Sequence, residues 1–307
     1  MLVRTLDAPL QGRFFSGVGA DASSWLNLIP KQDGVKLSAL EFRTALRSRL
    51  LLPHPAIPPG ARCVCARAIP VDPFGIHLAK CNHLQRMTIG THDAFRNELQ
   101  QFVRSSGADC KAEVVGIFQP EGDTPDLRRM DLVINVAGEP QMLCDVTVVS
   151  PTEWDPGPSR DPLHAAELRK NRDYADSALK AGKVFIPIAV DHGGRRGPQF
   201  ERFFNETVNR YSANTGGDRE AIRGYWNRRL TVAVQRGLAR ALIQRAHRVA
   251  CRALASNLAA DFEIDATPAG HAAMGVAPAL AQDPLEDRSW DYPDTGGAGL
   301  GCLKCAL

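Results

Sequence analysis

The chain lacks any strong excess of charge: 37 lysines and arginines stand against 34 aspartates and glutamates, a formal net charge of +3. Overall charge therefore does not mark a nucleic-acid binder, and any such surface must be local. No apolar run approaches the roughly 18–20 residues of a membrane-spanning helix. The opening MLVRTLDAPL has no apolar core of the kind a secretion signal needs, so an intracellular location is expected. There is no internal repeat. A disulfide framework is also missing. Of eight cysteines, three fall between Cys63 and Cys81, two (Cys302, Cys305) sit near the end, and Cys110, Cys144 and Cys251 are scattered. Without a secretion signal, that distribution favours reduced thiols and a metal site.

What is present is an ordinary globular composition, 44% hydrophobic and 23% charged, enough for one or two cored domains. KLSALEFRTALRSRLLL reads as a helix with Leu37, Leu40, Phe42, Leu46 and Leu50 inward, capped by Ser38 with Glu41 three residues on. PHPAIPPGAR is a linker. THDAFRNELQQFVRSSG is an amphipathic helix with Phe95, Leu99, Phe102 and Val103 inward and Gly107 at its end. A strand (AEVVGIF) and a hairpin turning at Gly138-Glu139-Pro140 follow. Then come a helix stopped by Gly182, a continuous apolar strand (KVFIPIAV), a helix (GPQFERFFNETVNRY) and a long helical pattern over 219–257. Beyond about Asp261 the sequence is Pro-, Gly- and Ala-rich and reads as a disordered tail. The order helix, strand, strand, strand, helix, strand, helix predicts an α/β fold with a mixed central sheet flanked by helices. The expected segments are an N-terminal helical part (1–59), a Cys/His knuckle (60–88), a sheet-containing core (89–215), a basic helix (216–258) and the tail (259–307).

Each strand of the hairpin RRMDLVINVAGEPQMLCDVTVV carries one aspartate. Asp131 alternates with Leu132, Ile134 and Val136, and Asp145 shares a face with Leu143, Thr147 and Val149. Paired through the turn, the two carboxylates approach each other. Like charges that close are unfavourable without a cation between them. Mg²⁺ (or Mn²⁺), with its preference for hard oxygen ligands, resolves the conflict and can activate water against a phosphodiester. The alternative is that both aspartates cap turns or pair with Arg128 and Arg129.

Cys63, Cys65, His77 and Cys81 have the spacing C-x-C-x11-H-x3-C, a ligand set suited to a closed tetrahedral Zn²⁺ site, with His83 as a spare ligand. The alternative is a pair of buried cysteines and two unrelated ligands. Cys302 and Cys305 have no second pair nearby and are not read as a site. DREAIRGYWNRRLTVAVQRGLARALIQRAHRVACR carries nine arginines and two acids. Leu230, Val232, Leu238, Leu242 and Val249 form its inward stripe. Arg228, Arg229 and Arg236 are expected to face DNA phosphates, and Tyr225 and Trp226 to stack on a base; the alternative is a solvated arginine face.

The arrangement around the aspartates resembles the PD-(D/E)xK, or restriction-endonuclease-like, nuclease core. Asp131 starts one strand, and Asp145-Val146-Thr147 occupies the place of the (D/E)-x-K triplet, with Thr147 where the lysine belongs. In ELRKNRDY, Lys170 precedes Tyr174 by one helical turn, and it fits the migrated position that some members of the superfamily use. CVCARAIPVDPFGIHLAKC, DLVI, CDVTVVSP, KNRDY and FIPIAVDHGG occur in the order found in the C-terminal part of non-LTR retroelement polyproteins, and WLNLIP and EFRTALRSRL are similar to what precedes the knuckle there. The match spans about residues 17–250. The resemblance implies a DNA endonuclease with Asp131 and Asp145 as Mg²⁺ ligands, Lys170 orienting water and Glu98 completing the metal shell. It also implies DNA as partner, RNA or a reverse transcriptase supplied elsewhere, and a nuclear location. Thr147 equally fits a catalytically silent nucleic-acid binder or a retroelement remnant. His92 is given no catalytic role at this stage.

Overall fold

A four-stranded sheet in the order β1-β2-β3-β4 divides the molecule into helical layers. The computed structural model describes residues 6–19, 21–30, 35–81, 85–118, 128–151 and 161–264. His83, Cys302, Cys305 and most of the expected tail lie outside them. The elements are α1 (Ala8–Val18), α2 (Ala39–Arg49), α3 (Ile76–Lys80), α4 (Gln85–Ser105), β1 (Asp109–Val115), β2 (Arg129–Asn135), β3 (Met142–Val149), α5 (Pro162–Lys180), β4 (Val184–Asp191), α6 (Pro198–Thr215) and α7 (Arg219–Ile264). Strands β1, β2 and β3 pair antiparallel, and β4 joins β3 in parallel after the α5 crossover. The hairpin turns where expected, with Gly138 at φ +79° and Glu139 N–H donating to Val136 O at 3.1 Å.

Strand alternation sorts the side chains into two cores. The even-numbered residues Leu132, Ile134, Cys144, Val146, Ile188 and Val190 pack with Phe95, Leu99 and Phe102 of α4, Phe200 and Phe204 of α6, and Trp226, Leu230 and Val234 of α7. The odd-numbered Val133, Leu143 and Phe185 pack with Tyr174 and Ala178 of α5. The sheet is thus buried on both faces. Each large side chain sunk there contributes on the order of 1.5–3 kcal/mol. β2 and β3 read as near-continuous buried runs rather than the expected alternation.

Four expectations need correction. α4 starts at Gln85, two turns before Thr91. At Gly90 nothing lies within 4 Å of an added Cβ, and the helix runs through it. Only part of the expected inward set turns inward: Leu37 and Leu46 pack against Trp25, Ala45 and Val232. Leu40, Phe42 and Leu50 are exposed, while Glu41, Thr44 and Ala45 are buried. Glu41 is drawn in because it completes the capping box with Ser38 and receives Arg240 Nε at 2.6 Å. Trp226 is buried against Phe102, ring centroids 5.1 Å apart, and is not a platform for a base. α7 runs to Ile264, beyond the expected end, and packs on two clusters. Its first half joins the sheet core, and its second half (Leu242, Ala246, Val249) packs on Ile57, Ala61, Cys63, Val71, Leu78 and Cys81. The described residues up to Glu263 belong to one compact unit.

Candidate functional site

The β2–β3 register pairs Leu132 with Cys144 and Val133 with Leu143. Continued by one residue, it sets Asp131 opposite Asp145, with Asp131 reached by His92 of α4 and Asp145 by Lys170 of α5. Both are buried, 6% and 7% exposed. Where the ladder ends, the Asp131 side chain takes over: its Oδ2 accepts the Val146 N–H at 2.7 Å. The same oxygen lies 3.1 Å from Nε2 of His92, while His92 Nδ1 lies 3.1 Å from Asp93 Oδ1. Oδ1 of Asp131 has no hydrogen-bond partner among the described residues.

Asp145 is matched from the other side. Lys170 Nζ of α5 lies 2.7 Å from Asp145 Oδ2, and 5.7 Å above the Tyr174 ring one turn on. The lysine contact is an ion pair without hydrogen-bond alignment, so this buried oxygen is left without a hydrogen bond. Lys170 therefore reaches the face on which Thr147 stands. The two acids differ in charge environment. Burial raises Asp145 above the usual carboxylate range, and Lys170 only partly offsets it. Burial acts the same way on Asp131, but the hydrogen bond and charge of His92, with help from Val146 N–H and Arg96, outweigh it and hold Asp131 low. Burial would lower His92, but Asp131 and Asp93 outweigh it and raise it. Neither aspartate pairs with Arg128 or Arg129. Arg128 bonds to Asp173 O and Ser177 Oγ at 3.4 and 3.1 Å, and Arg129 lies 3.5 Å from Glu113.

The structure thus brings Asp131, Asp145 and Lys170 together and adds His92, which the sequence reading passed over. Had α4 been started at Gln85, His92 would have been two turns into a helix leading to the aspartates. Glu98 is six residues further along α4 and forms an ion pair with Arg229 of α7. Glu167, one turn before Lys170, is fully buried and accepts the Gln199 and Phe200 N–H groups at 3.0 and 3.1 Å. It fastens the start of α6 to α5.

A second constellation forms in the segment before α4. Cys63 Sγ and Cys81 Sγ are 3.7 Å apart, as are Cys65 Sγ and His77 Nε2, and all four ligand atoms lie within 4.8 Å of one another. Ligands at tetrahedral corners around zinc would be about 3.5–3.8 Å apart. The set suits a metal such as zinc. Among the described residues, no other group of three or more His, Cys, Asp or Glu side chains converges in this way. The local fold explains the convergence. Cys63 N–H bonds Ile69 O and Ala68 N–H bonds Cys65 O, at 2.9 and 2.8 Å, which folds the first pair into a tight turn. Asp72 accepts the N–H groups of Phe74, Ile76 and His77 at 3.0–3.1 Å, and so starts the helical turn that presents His77 and Cys81. With no cation present, burial pushes the Cys63 thiol up to about 11, whereas the Ile69 N–H chiefly draws Cys65 down.

Of the expected phosphate contacts on α7, Arg229 is taken by Glu98, and Arg236 donates to Lys36 O at 3.0 Å. Arg228 has no carboxylate partner among the described residues. Further along, Arg223 engages Asp21 and Glu201, Arg240 engages Glu41, and Arg245 donates to Leu78 O. No helix among the described residues is long and apolar enough to cross a membrane. No protein-family model and no curated protein matches the chain.

Proposed function

We propose that the chain is a metal-dependent DNA endonuclease of the restriction-like type with a structural zinc knuckle. The observation that carries this reading is the pair Asp131 and Asp145 at facing positions of β2 and β3, with Lys170 of α5 2.7 Å from Asp145. Mg²⁺ is commonly held by one or two carboxylates together with substrate phosphates, so two aspartates are a sufficient protein share. Bound there, such an ion supplies charge neutralisation and a more acidic water. Asp131 offers its unoccupied Oδ1, and Asp145 offers an oxygen whose only partner is an ammonium. Lys170 then orients the attacking water. His92 acts as a positioning residue: with Val146 N–H it fixes Oδ2 of Asp131, and Oδ1 would be the oxygen available to hold a cation. Glu98, engaged with Arg229, is left out of the metal shell. The expected partner is DNA, with RNA or a polymerase supplied elsewhere, and the expected location is nuclear.

The test is single-turnover cleavage of plasmid and oligonucleotide DNA with Mg²⁺ or Mn²⁺. Wild type should nick, and Asp145→Ala and Asp131→Ala should not while still binding DNA. Equal cleavage by Asp145→Ala would discard the assignment. A second reading, a silent nucleic-acid binder, is favoured by one observation. Lys170 and His92 already oppose the two acids, and Thr147 stands where the resemblance places a catalytic lysine. Binding without cleavage by wild type would select it.

A further inference from the structure

A cavity of about 50 Å³ lies between α1, α2, the loop after β4 and α7. At roughly 10–15 Å³ per enclosed water, it has room for three to five waters or one tetrahedral oxyanion. Its polar lining is Arg13, Ser16, Ser48, Arg49, His192 and Gln235, with no carboxylate among the lining residues. Several of these groups are already committed. Ser16 Oγ accepts the Gly193 N–H, Gln235 Nε2 donates to His192 O (both 2.7 Å), and Ser48 Oγ lies 3.2 Å from His54 Nε2. The two guanidiniums are not satisfied in this way. Arg13 donates Nη1 to Phe74 O at 2.9 Å and Arg49 donates Nε to Ser23 Oγ at 3.0 Å, and neither has an ion-pair partner among the described residues. Burial disfavours the charged form of Arg13, for which Asp72 is the opposing charge, Arg49 is half-buried, and each fork has further donors to give.

We propose that this cavity binds a phosphate-type oxyanion between Arg13 and Arg49. Paired N–H donors of a guanidinium match two oxygens of such an anion, which an ammonium cannot do. The surroundings agree. His192 and His54 are held neutral, at about 3 and about 4, first by burial and then by the charge of Arg13 and other arginines, with Asp72 acting the other way on His54. Neither aspartate of the proposed nuclease site lines the cavity, so this inference stands apart from that reading. The oxyanion has two possible sources, free phosphate and the terminal phosphate of a nucleic acid.

The test is calorimetry on the full chain with inorganic phosphate in a chloride-salt buffer. A parallel arm compares 5′-phosphorylated with 5′-hydroxyl oligonucleotide. Wild type should bind one phosphate and melt at a higher temperature in its presence. Arg49→Gln and Arg13→Gln should each weaken binding by about tenfold or more. Arg43→Gln, at an exposed position on α2, should change nothing. Should Arg13→Gln fail to fold after losing its bond to Phe74, Arg49→Gln decides. Binding of inorganic phosphate points to the free anion. A preference for the 5′-phosphorylated strand that Arg49→Gln abolishes points to a nucleic-acid end. Either supports the site. No saturable binding up to about 50 mM phosphate and no 5′-phosphate preference would overturn it. So would binding indifferent to Arg49→Gln, or equally lost in Arg43→Gln.

Discussion

Two regions of this molecule read as metal sites in the sequence, and the structure separates them. In the Cys63–Cys81 cluster, four ligand atoms converge within 4.8 Å, and two thiol sulfurs face each other at 3.7 Å. Only a cation would complete that arrangement. In the aspartate pair each acid already has its own basic side chain, Lys170 for Asp145 and His92 for Asp131. A metal there competes with protein groups instead of closing a gap. The four Cys and His ligands are brought together by local chain turns, whereas the two acids stand on adjacent strands and are met by side chains of α4 and α5.

The sharpest way to break this contrast is to take the metal away. The purified protein should contain about one Zn²⁺ per chain, and Cys81→Ser or a strong chelator should remove it. Zinc-dependent folding free energies of roughly 10–16 kcal/mol in small peptides exceed the stability of most domains. Loss should therefore collapse the packing of Leu242, Ala246 and Val249 of α7 on the knuckle and lower the melting temperature steeply. Mg²⁺ removal should leave the melting temperature almost unchanged. Zinc-free protein that melts normally would erase the distinction.

On the aspartate side the expected effect is smaller and shows in pairs. Removing one member of a buried ion pair leaves the other uncompensated, at about 3–5 kcal/mol for a fully buried pair. The Lys170 side chain is 22% exposed, so Asp145→Ala should cost less, about 1–3 kcal/mol. Because burial already raises Asp145, Asp145→Ala/Lys170→Ala should recover much of the loss. Denaturant melts of the four proteins give the coupling. Additive losses would show that the contact is energetically empty.

Most of this contrast was legible from the chain, and the rest was not for physical reasons. Local rules found the knuckle, since C-x-C and H-x3-C fix ligands within single turns. They also found the strand order, since apolar runs and turn glycines are written along the sequence. The Asp131–Asp145 opposition followed from a hairpin whose turn at Gly138 fixes register. What escaped were pairings across distant segments. Glu98 was read by its place on an apolar edge, but the charge that claims it, Arg229, is 131 residues away. Glu41 looked like a surface cap residue until Arg240 buried it. The arginines of α7 looked like a phosphate-binding face because their acidic partners lie on α2, α4, α6 and the segment before α2. His92 was missed because the amphipathic pattern read from Thr91 put it at the start of the helix, whereas α4 begins at Gln85.

The same contrast has a pH signature. His54 and His192 have folded-state values depressed to about 4 and about 3, first by burial. A depressed value means the unfolded chain binds the proton first, so the stability is intact above about pH 6.5 and falls as pH drops toward 4. Each contributes on the order of 3 kcal/mol to that loss if fully realised. Urea melts from pH 7 to 4 should show the decline, and His54→Gln should flatten part of it. An unchanged slope in that variant would remove His54 from the account.

His92 tests whether the acid pair is poised for a cation at all. Partners that orient a metal-binding carboxylate are worth about 10–100-fold in metal affinity. His92→Ala should weaken Mn²⁺ binding, followed by electron paramagnetic resonance, by that factor. His92→Gln, which keeps a donor near Nε2, should recover most of it. Unaltered affinity in His92→Ala would reduce the residue to packing, and absence of any Mn²⁺ binding by wild type would instead discard the metal reading itself.

The smallest effects belong to α7, where two neighbouring arginines should part ways. Arg229 forms an ion pair with Glu98, their side chains 14% and 12% exposed, so its charge is spent inside the fold. Arg228, one residue earlier, has no carboxylate partner among the described residues and keeps its fork for a phosphate. If α7 contacts DNA, Arg228→Gln should weaken binding to all sequences alike and lower the salt slope by about 1. Arg229→Gln should leave the slope nearly alone and destabilise the protein, because Glu98 is then buried unpaired. A triple change of Arg228, Arg229 and Arg236 would mix the two effects, since Arg236 also donates to Lys36 O. Salt titrations of the separate variants keep them apart. Equal slopes in wild type and Arg228→Gln would place α7 outside the DNA interface, and its nine arginines would then serve the fold and the solvent alone.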